Sequence, residues 1–262
     1  MTGSIMFAFL RTIKPIAPGP AKRKTAPVGT PRVMALAALP VPVEVRVSPR
    51  SRRLSMRVDA VRNVVRVSTP PQISDADIKQ FIGRHMAWLQ QCLSAVPPRF
   101  PFHDGAVVPI LGIGHHICHR PGSRNATRIE VLNGKPVIMV GGDSAFLNRR
   151  VTDFLKAQAR NLLTERAREK AGRLNAKVAG VTVRDTKSRW GSCSSGGRLS
   201  FCWRLIMAPD PVFDYVVAHE VAHLKEMNHS PRFWALCASL TASVETSREW
   251  LRVNGARLHA YG

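Results

Sequence analysis

The stretch AHEVAHLKEMNHSP, residues 218–231, holds three histidines and a glutamate at spacings that suit metal chemistry. His219 and His223 stand four apart, so on a helix their imidazoles lie on one face, one above the other. Two neutral imidazoles so placed can grip one Zn2+ ion at about 2.0–2.1 Å each. Glu220 follows the first histidine directly, so its carboxylate projects beside the ion rather than onto it. There it can take a proton from a water molecule acidified by the metal and deliver it to a leaving group. A catalytic zinc site needs a third protein ligand and one open position. His229 is the best-placed third ligand, and Glu245 and Glu249 are its rivals, because a downstream helical glutamate completes other zinc sites.

The elements that would hold these groups can be read from their punctuation. Asp210 has the character of an N-cap and Pro211 suits a first helical position. The helix they open is expected to run through VFDYVVAHEVAHLKEM, residues 212–227. Asn228 is then a candidate left-handed C-cap, and Ser230-Pro231 carries the start signature of another helix. His229 falls in the turn between them. The surrounding YVVAHEVAHL is apolar almost all round, which buries the polar groups of His219, Glu220 and His223. Burial without partners is costly, and a metal supplies the compensation.

Upstream, residues 43–70 alternate apolar and polar positions in short runs, as paired antiparallel strands do. Ser74 is a candidate N-cap with Asp77 three residues on, ahead of an amphipathic helix through Ile78, Phe81, Ile82, His85, Met86 and Leu89. Strands return over residues 106–142, with a hairpin turn at Asn133-Gly134. The HHICH run there is a possible metal cluster, but on a strand His115 and His119 face opposite to His116. A half-exposed strand that is merely rich in histidine is the favoured reading. A long amphipathic helix follows, with Val151, Phe154, Leu155, Gln158, Leu162 and Leu163 on one face. Two strands joined through Ser195-Gly196-Gly197 precede the histidine helix. No repeat is visible along the chain, and the plan is α+β.

Three regions are expected. Residues 1–40 form a Pro/Ala-rich basic tail without hydrophobic period, read as disordered, with Met34 as a possible alternative start of translation. Residues 41–145 form a mostly antiparallel β-rich region with one helix, and residues 146–262 form the domain that carries the histidines. The chain has 262 residues, 45% of them apolar, which excludes wholesale disorder. A net charge of +22 attracts polyanions such as nucleic acid, anionic membrane or phosphorylated small molecules, or else reflects a basic surface with no dedicated partner. The five scattered cysteines form no CxxC pair, so buried thiols in a reducing cytoplasm are expected. Cys193 and Cys202 flank the hairpin and are the pair most able to meet. No apolar run reaches the roughly 18 residues of a membrane span, and the IMFAFL segment is too short for a signal-peptide core.

The spacing of His219, His223 and His229 matches the metzincins, yet Glu226 occupies their glycine position and no Met-turn follows. The stretch TKSRWGSCSSGGRLSFCWRLIMAPDPVFDYVVAHEVAHLKEMNHSPRFW, residues 186–234, instead resembles the YgjP-like metallopeptidases, relatives of the SprT-like zinc proteases. The resemblance implies a zincin-like fold, with His219, His223 and His229 as zinc ligands and Glu220 as general base. It also implies a substrate-binding rim at Arg189, Trp190, Gly191 and Ser192, on a strand beside the active-site helix. Against that rim stands a packing role for Trp190 and Trp203. Tyr215 and Arg204 are weak candidates for stabilising developing charge.

Zinc-dependent peptide hydrolysis is the leading function, with a protein or peptide substrate. The first alternative keeps the metal and changes the substrate to a nucleoside triphosphate; positive charge favours it and the lack of a Gly-rich phosphate loop opposes it. The second is a nucleic-acid-associated module in which zinc is secondary.

Overall fold

The computed structural model describes residues 31–59, 62–94 and 96–262. The chain forms two compact units, divided between Pro97 and Pro98. The boundary expected at 145/146 therefore falls too late. The strands at residues 107–141 belong with the histidine-bearing unit, because Val108, Ile110, Ile117, Ile138 and Val140 share one core with Val151 and Leu155.

The first unit contains strands β1 (Arg32–Met34), β2 (Val43–Val47), β3 (Ser55–Asp59) and β4 (Val64–Thr69), then helices α1 (Asp75–Arg84) and α2 (Met86–Ser94). Most of the expected tail lies outside the described residues. Its last part is ordered, since Arg32 to Met34 pair with β2 and Leu39 is buried. The sheet order is β1-β2-β4-β3, with the central β2/β4 pair parallel rather than antiparallel. Ser74 caps α1 in a full capping box with Asp77. Ile78, Phe81 and Ile82 on α1 and Leu89 on α2 share a core with Val43, Val45, Val65 and Val67. The single expected helix is broken at His85, whose Nδ1 meets the Phe81 carbonyl at 2.8 Å.

The second unit opens with β5 (Val107–Ile110), β6 (Ile113–Arg120), β7 (Arg128–Leu132) and β8 (Lys135–Gly141). Their order is β5-β6-β8-β7, again with a parallel central pair. Both four-stranded sheets thus share one topology and each is followed by a helix, a structural repeat with no trace in the sequence. Asn133 and Gly134 take positive φ (50° and 73°), the two-residue turn expected between β7 and β8. The β5/β6 turn is tied to the run-up to the histidine helix: Leu111 N–H donates to the Ile206 carbonyl at 2.7 Å.

Helix α3 (Leu147–Arg173) lays Val151, Leu155, Ala159, Leu163 and Ala167 into the core. A three-stranded sheet follows from β9 (Gly180–Arg184), β10 (Gly191–Cys193) and β11 (Arg198–Cys202), in the order β10-β11-β9. The expected hairpin is β10/β11, and β9 adds a parallel third strand to it. A 3₁₀ segment at Trp203–Met207 leads into α4 (Asp210–Ala222), then α5 (Pro231–Leu240) and α6 (Val244–Leu258). The architecture is α+β, with antiparallel-rich sheets and a buried helix as in zincin-like domains.

Helix α4 is buried along almost its whole length, from Val212 and Phe213 through Tyr215–Ala222. Pro209 is the capping residue and Asp210 the first helical one, a shift of one from expectation. Asp210 is thereby free to meet Arg166 of α3 at 2.5 Å. One turn on, Lys170 of α3, only 4% exposed, meets Asp214 at 2.8 Å and donates to the Leu240 carbonyl at 2.7 Å. These contacts fix α4 and the end of α5 against α3.

Candidate metal centre

Helix α4 ends at Ala222, earlier than the apolar pattern suggests, and His223 occupies its C-cap. The chain there tightens: Leu224 N–H donates to the Val221 carbonyl, and Lys225 and Glu226 N–H both donate to that of Ala222. The ring of His223 holds the reversal, because its Nδ1 meets the Glu226 carbonyl at 2.9 Å. Asn228 is not a left-handed cap; its φ is not positive, and its Oδ1 accepts from Ser230 N–H at 3.2 Å. Ser230 does cap α5, its Oγ accepting from Phe233 N–H, with Pro231 in the first turn. His229 is therefore pinned between an Asx turn and a helix cap.

This turn brings His229 back over α4. One ring nitrogen from each of His219, His223 and His229 lies within 4.8 Å of the others. The Nε2 atoms of His219 and His229 are 3.0 Å apart. Among the described residues this is the one cluster of three or more His, Cys, Asp or Glu side chains so disposed. The HHICH run makes no such cluster: His115 Nδ1 meets the Ile113 carbonyl, and His119 Nε2 that of Gly142. Glu249 is engaged by Arg252, and Glu245 is exposed. His219 and His223 are buried and His229 is exposed, so the cluster opens to solvent on one side only.

The donor set fits zinc. A tetrahedral ion bonded at about 2.0–2.1 Å needs its nitrogens about 3.3 Å apart, and the 3.0 Å between His219 and His229 nearly meets that need. With Nδ1 of His223 donating to a carbonyl, its Nε2 carries the lone pair, and that atom is buried without a partner. Burial, and then the nearby His223, His229 and Arg248, push His219 down to about 2. Burial also lowers His223 and His229, so all three rings are neutral at neutral pH, the form that binds metal. The Nδ1 of His219 is also buried and lacks an acceptor.

Glu220 packs against Gly191 of β10. It is completely buried and neither carboxyl oxygen has a hydrogen-bond partner. Burial holds its carboxyl well above the usual range, against a weaker downward pull from Arg189. Gly191 makes room for it: a Cβ built there would lie 2.5 Å from Glu220 Cγ and closer still to Oε1. The glycine of RWGSC is thus the positional partner of the glutamate of HExxH.

The four expected rim residues separate. Trp190 is not on a rim; it is fully buried and stacks on His259 with ring centroids 5.0 Å apart. Large aromatic area favours the core over a polar edge, and Trp203 is buried likewise. Gly191 and Ser192 lie on β10, an edge strand of its sheet, and Arg189 is exposed just before it. Arg204 binds Asp185 and the Leu258 and Tyr261 carbonyls, so it anchors the C-terminal turn. Tyr215 packs edge-on to His219 at 5.9 Å.

Three neighbours escaped sequence reading. Phe233 lies 4.4 Å from the His223 ring and 4.7 Å from that of His229. Trp234 lies 5.9 Å from His219 and 5.7 Å from His229, and the guanidinium of Arg248 sits 4.9 Å over its ring. Phe233 and Trp234 follow Ser230-Pro231 in the first turn of α5, and that placement was the available signal.

A family model described as YgjP-like, metallopeptidase domain, matches residues 52–254. No curated protein and no solved structure matches the chain.

Proposed function

The chain belongs to the YgjP-like metallopeptidase family, and from that premise we propose a zinc-dependent peptidase with a His219, His223 and His229 site and Glu220 as general base. The observation that carries the proposal is the convergence of three neutral imidazoles beside a fully buried carboxyl without a partner. Such a group is expensive to keep unless chemistry uses it. Zinc, when bound, polarises a carbonyl oxygen and lowers the pKa of water.

The remaining work falls to the chain. His223 is oriented by the Glu226 carbonyl and His229 by the capped turn, which fixes the ring geometry before any ligand arrives. Glu220 accepts the proton of the attacking water on a carboxyl oxygen and passes it to the leaving amine. Its buried position excludes bulk water as a competing proton acceptor. An extended peptide would align along the edge strand β10, which carries Gly191 and Ser192, with Arg189 at the entrance. A reducing, cytoplasmic setting belongs to the same reading, consistent with five cysteines that form no disulfide. No helix among the described residues is long and apolar enough to cross a membrane.

Glu220→Gln tests the assignment. It should retain about one zinc per chain by metal analysis and lose at least ~100-fold in peptide hydrolysis. Turnover at the unmodified rate would remove Glu220 from the chemistry.

A further inference from the structure

The histidine cluster is flanked by two cations that the fold leaves available. Arg248 of α6 lies over the Trp234 ring at 4.9 Å, and Trp234 in turn lies against His219 and His229. Its nearest carboxylate, Glu245, is 4.0 Å away and 81% exposed, a weak pairing in water. The next carboxylate along α6, Glu249, is bound at 2.6 Å by Arg252. The cation–π contact therefore sets the direction of Arg248, and no strong ion pair consumes its charge.

The second cation is Arg189, exposed ahead of β10 and two residues before Gly191, the residue packed against Glu220. Its backbone is held in place, because its carbonyl accepts from Thr186 Oγ1 at 2.9 Å. One arginine thus precedes the strand that packs on the general base, and the other lies over the indole that packs on two of the histidines. Guanidinium groups receive carboxylates in a two-pronged geometry that amides do not reproduce.

We propose that this site selects acidic peptides, with Arg248 and Arg189 receiving carboxylate side chains that flank the scissile bond. This specificity rests on the peptidase reading above. It gives the basic character of the chain a role at the site, beyond general attraction of polyanions.

The test uses zinc-loaded Glu220→Gln protein as a trap, with dye-labelled peptide pairs in which Asp and Glu are exchanged for Asn and Gln. Binding is read by fluorescence anisotropy, and cleavage of the same pairs is measured with the wild-type chain. The acidic member should bind about five-fold more tightly for each arginine engaged. Arg248→Gln and Arg189→Gln should each remove about that factor, Arg248→Lys should restore only part of it, and Arg252→Gln should change nothing. Thermal melting confirms that each variant is folded. Equal binding of the two members, or a preference that Arg252→Gln erodes as much as Arg248→Gln, would overturn the proposal. Cleavage without acidic preference refutes the specificity and leaves the peptidase reading standing. Acidic preference in binding with no peptide cleaved refutes the peptidase reading, and with it the placement of the carboxylates about a scissile bond.

Discussion

Replacing Gly191 by alanine adds one methyl group at the most crowded point of the site. The new Cβ would lie 2.5 Å from Glu220 Cγ and 2.7 Å from its Cδ, and closer still to Oε1. Carbon atoms rest about 3.5–4.0 Å apart, so Glu220 or β10 must move by about 1 Å. The contact reaches Cγ, so turning the carboxyl group alone does not relieve it. Overpacking of this kind costs about 1–3 kcal/mol. A displacement of about 1 Å at a proton-transfer group costs about 100-fold in rate. Without the clash the sign reverses, because alanine in a strand is about 0.5–1 kcal/mol better than glycine. A double-mutant cycle isolates the effect: urea unfolding of wild type, Gly191→Ala, Glu220→Ala and the pair. Gly191→Ala alone should destabilise by about 1–3 kcal/mol, and in the Glu220→Ala background it should be neutral or mildly stabilising. Zinc content should persist in the single variant while kcat/KM falls. Equal costs in both backgrounds would refute the steric coupling of strand and glutamate.

Further tests address the supports of the site. Ser230→Ala removes the α5 cap next to His229; a loss of about 1 kcal/mol and weaker zinc retention against a competing chelator are expected. Lys170→Met keeps the buried stem, deprives the Leu240 carbonyl of its donor and leaves Asp214 to Arg166 at 3.7 Å, for a loss of about 1–3 kcal/mol in denaturant titration. His259, stacked on Trp190, is pushed down to about 4, chiefly by burial and next by Arg204. Its contribution is whole above the ordinary histidine value and is lost as pH falls towards 4, up to about 3 kcal/mol. His259→Phe should flatten that part of the metal-free stability profile.

What the sequence disclosed followed from local rules. His219, Glu220 and His223 were legible because four-residue spacing implies one helix face, and His229 because Ser230-Pro231 restarts a helix. The capping box at Ser74 and the turn at Asn133-Gly134 were legible for the same reason. The early end of α4 was not, because the ring of His223 draws the Glu226 carbonyl into a turn that no apolar period announces. Nor was the parallel pairing of β2 with β4 and of β6 with β8, since alternation reports which faces are buried and not the direction of the neighbour. Trp190 misled because its neighbours in RWGSC do lie at the site while its own ring turns inward. The grouping of β5–β8 with the histidine-bearing unit rests on a core that Val108 and Ile138 share with α3, far apart in sequence.

The twin sheet order bears on how the chain reaches this state. In β5-β6-β8-β7 the two outer pairs are neighbours in sequence, and each closes through a tight turn. Such hairpins form within about 1–10 μs. The central β6/β8 ladder must wait, because it joins two finished hairpins side by side and pays the entropy of closing the segment between them. The same order recurs in β1-β2-β4-β3, so each unit has its own docking step of hairpin upon hairpin. Until that step is complete, β6 and β8 present unpaired edges, and a newly made chain is then most open to pairing with its neighbours.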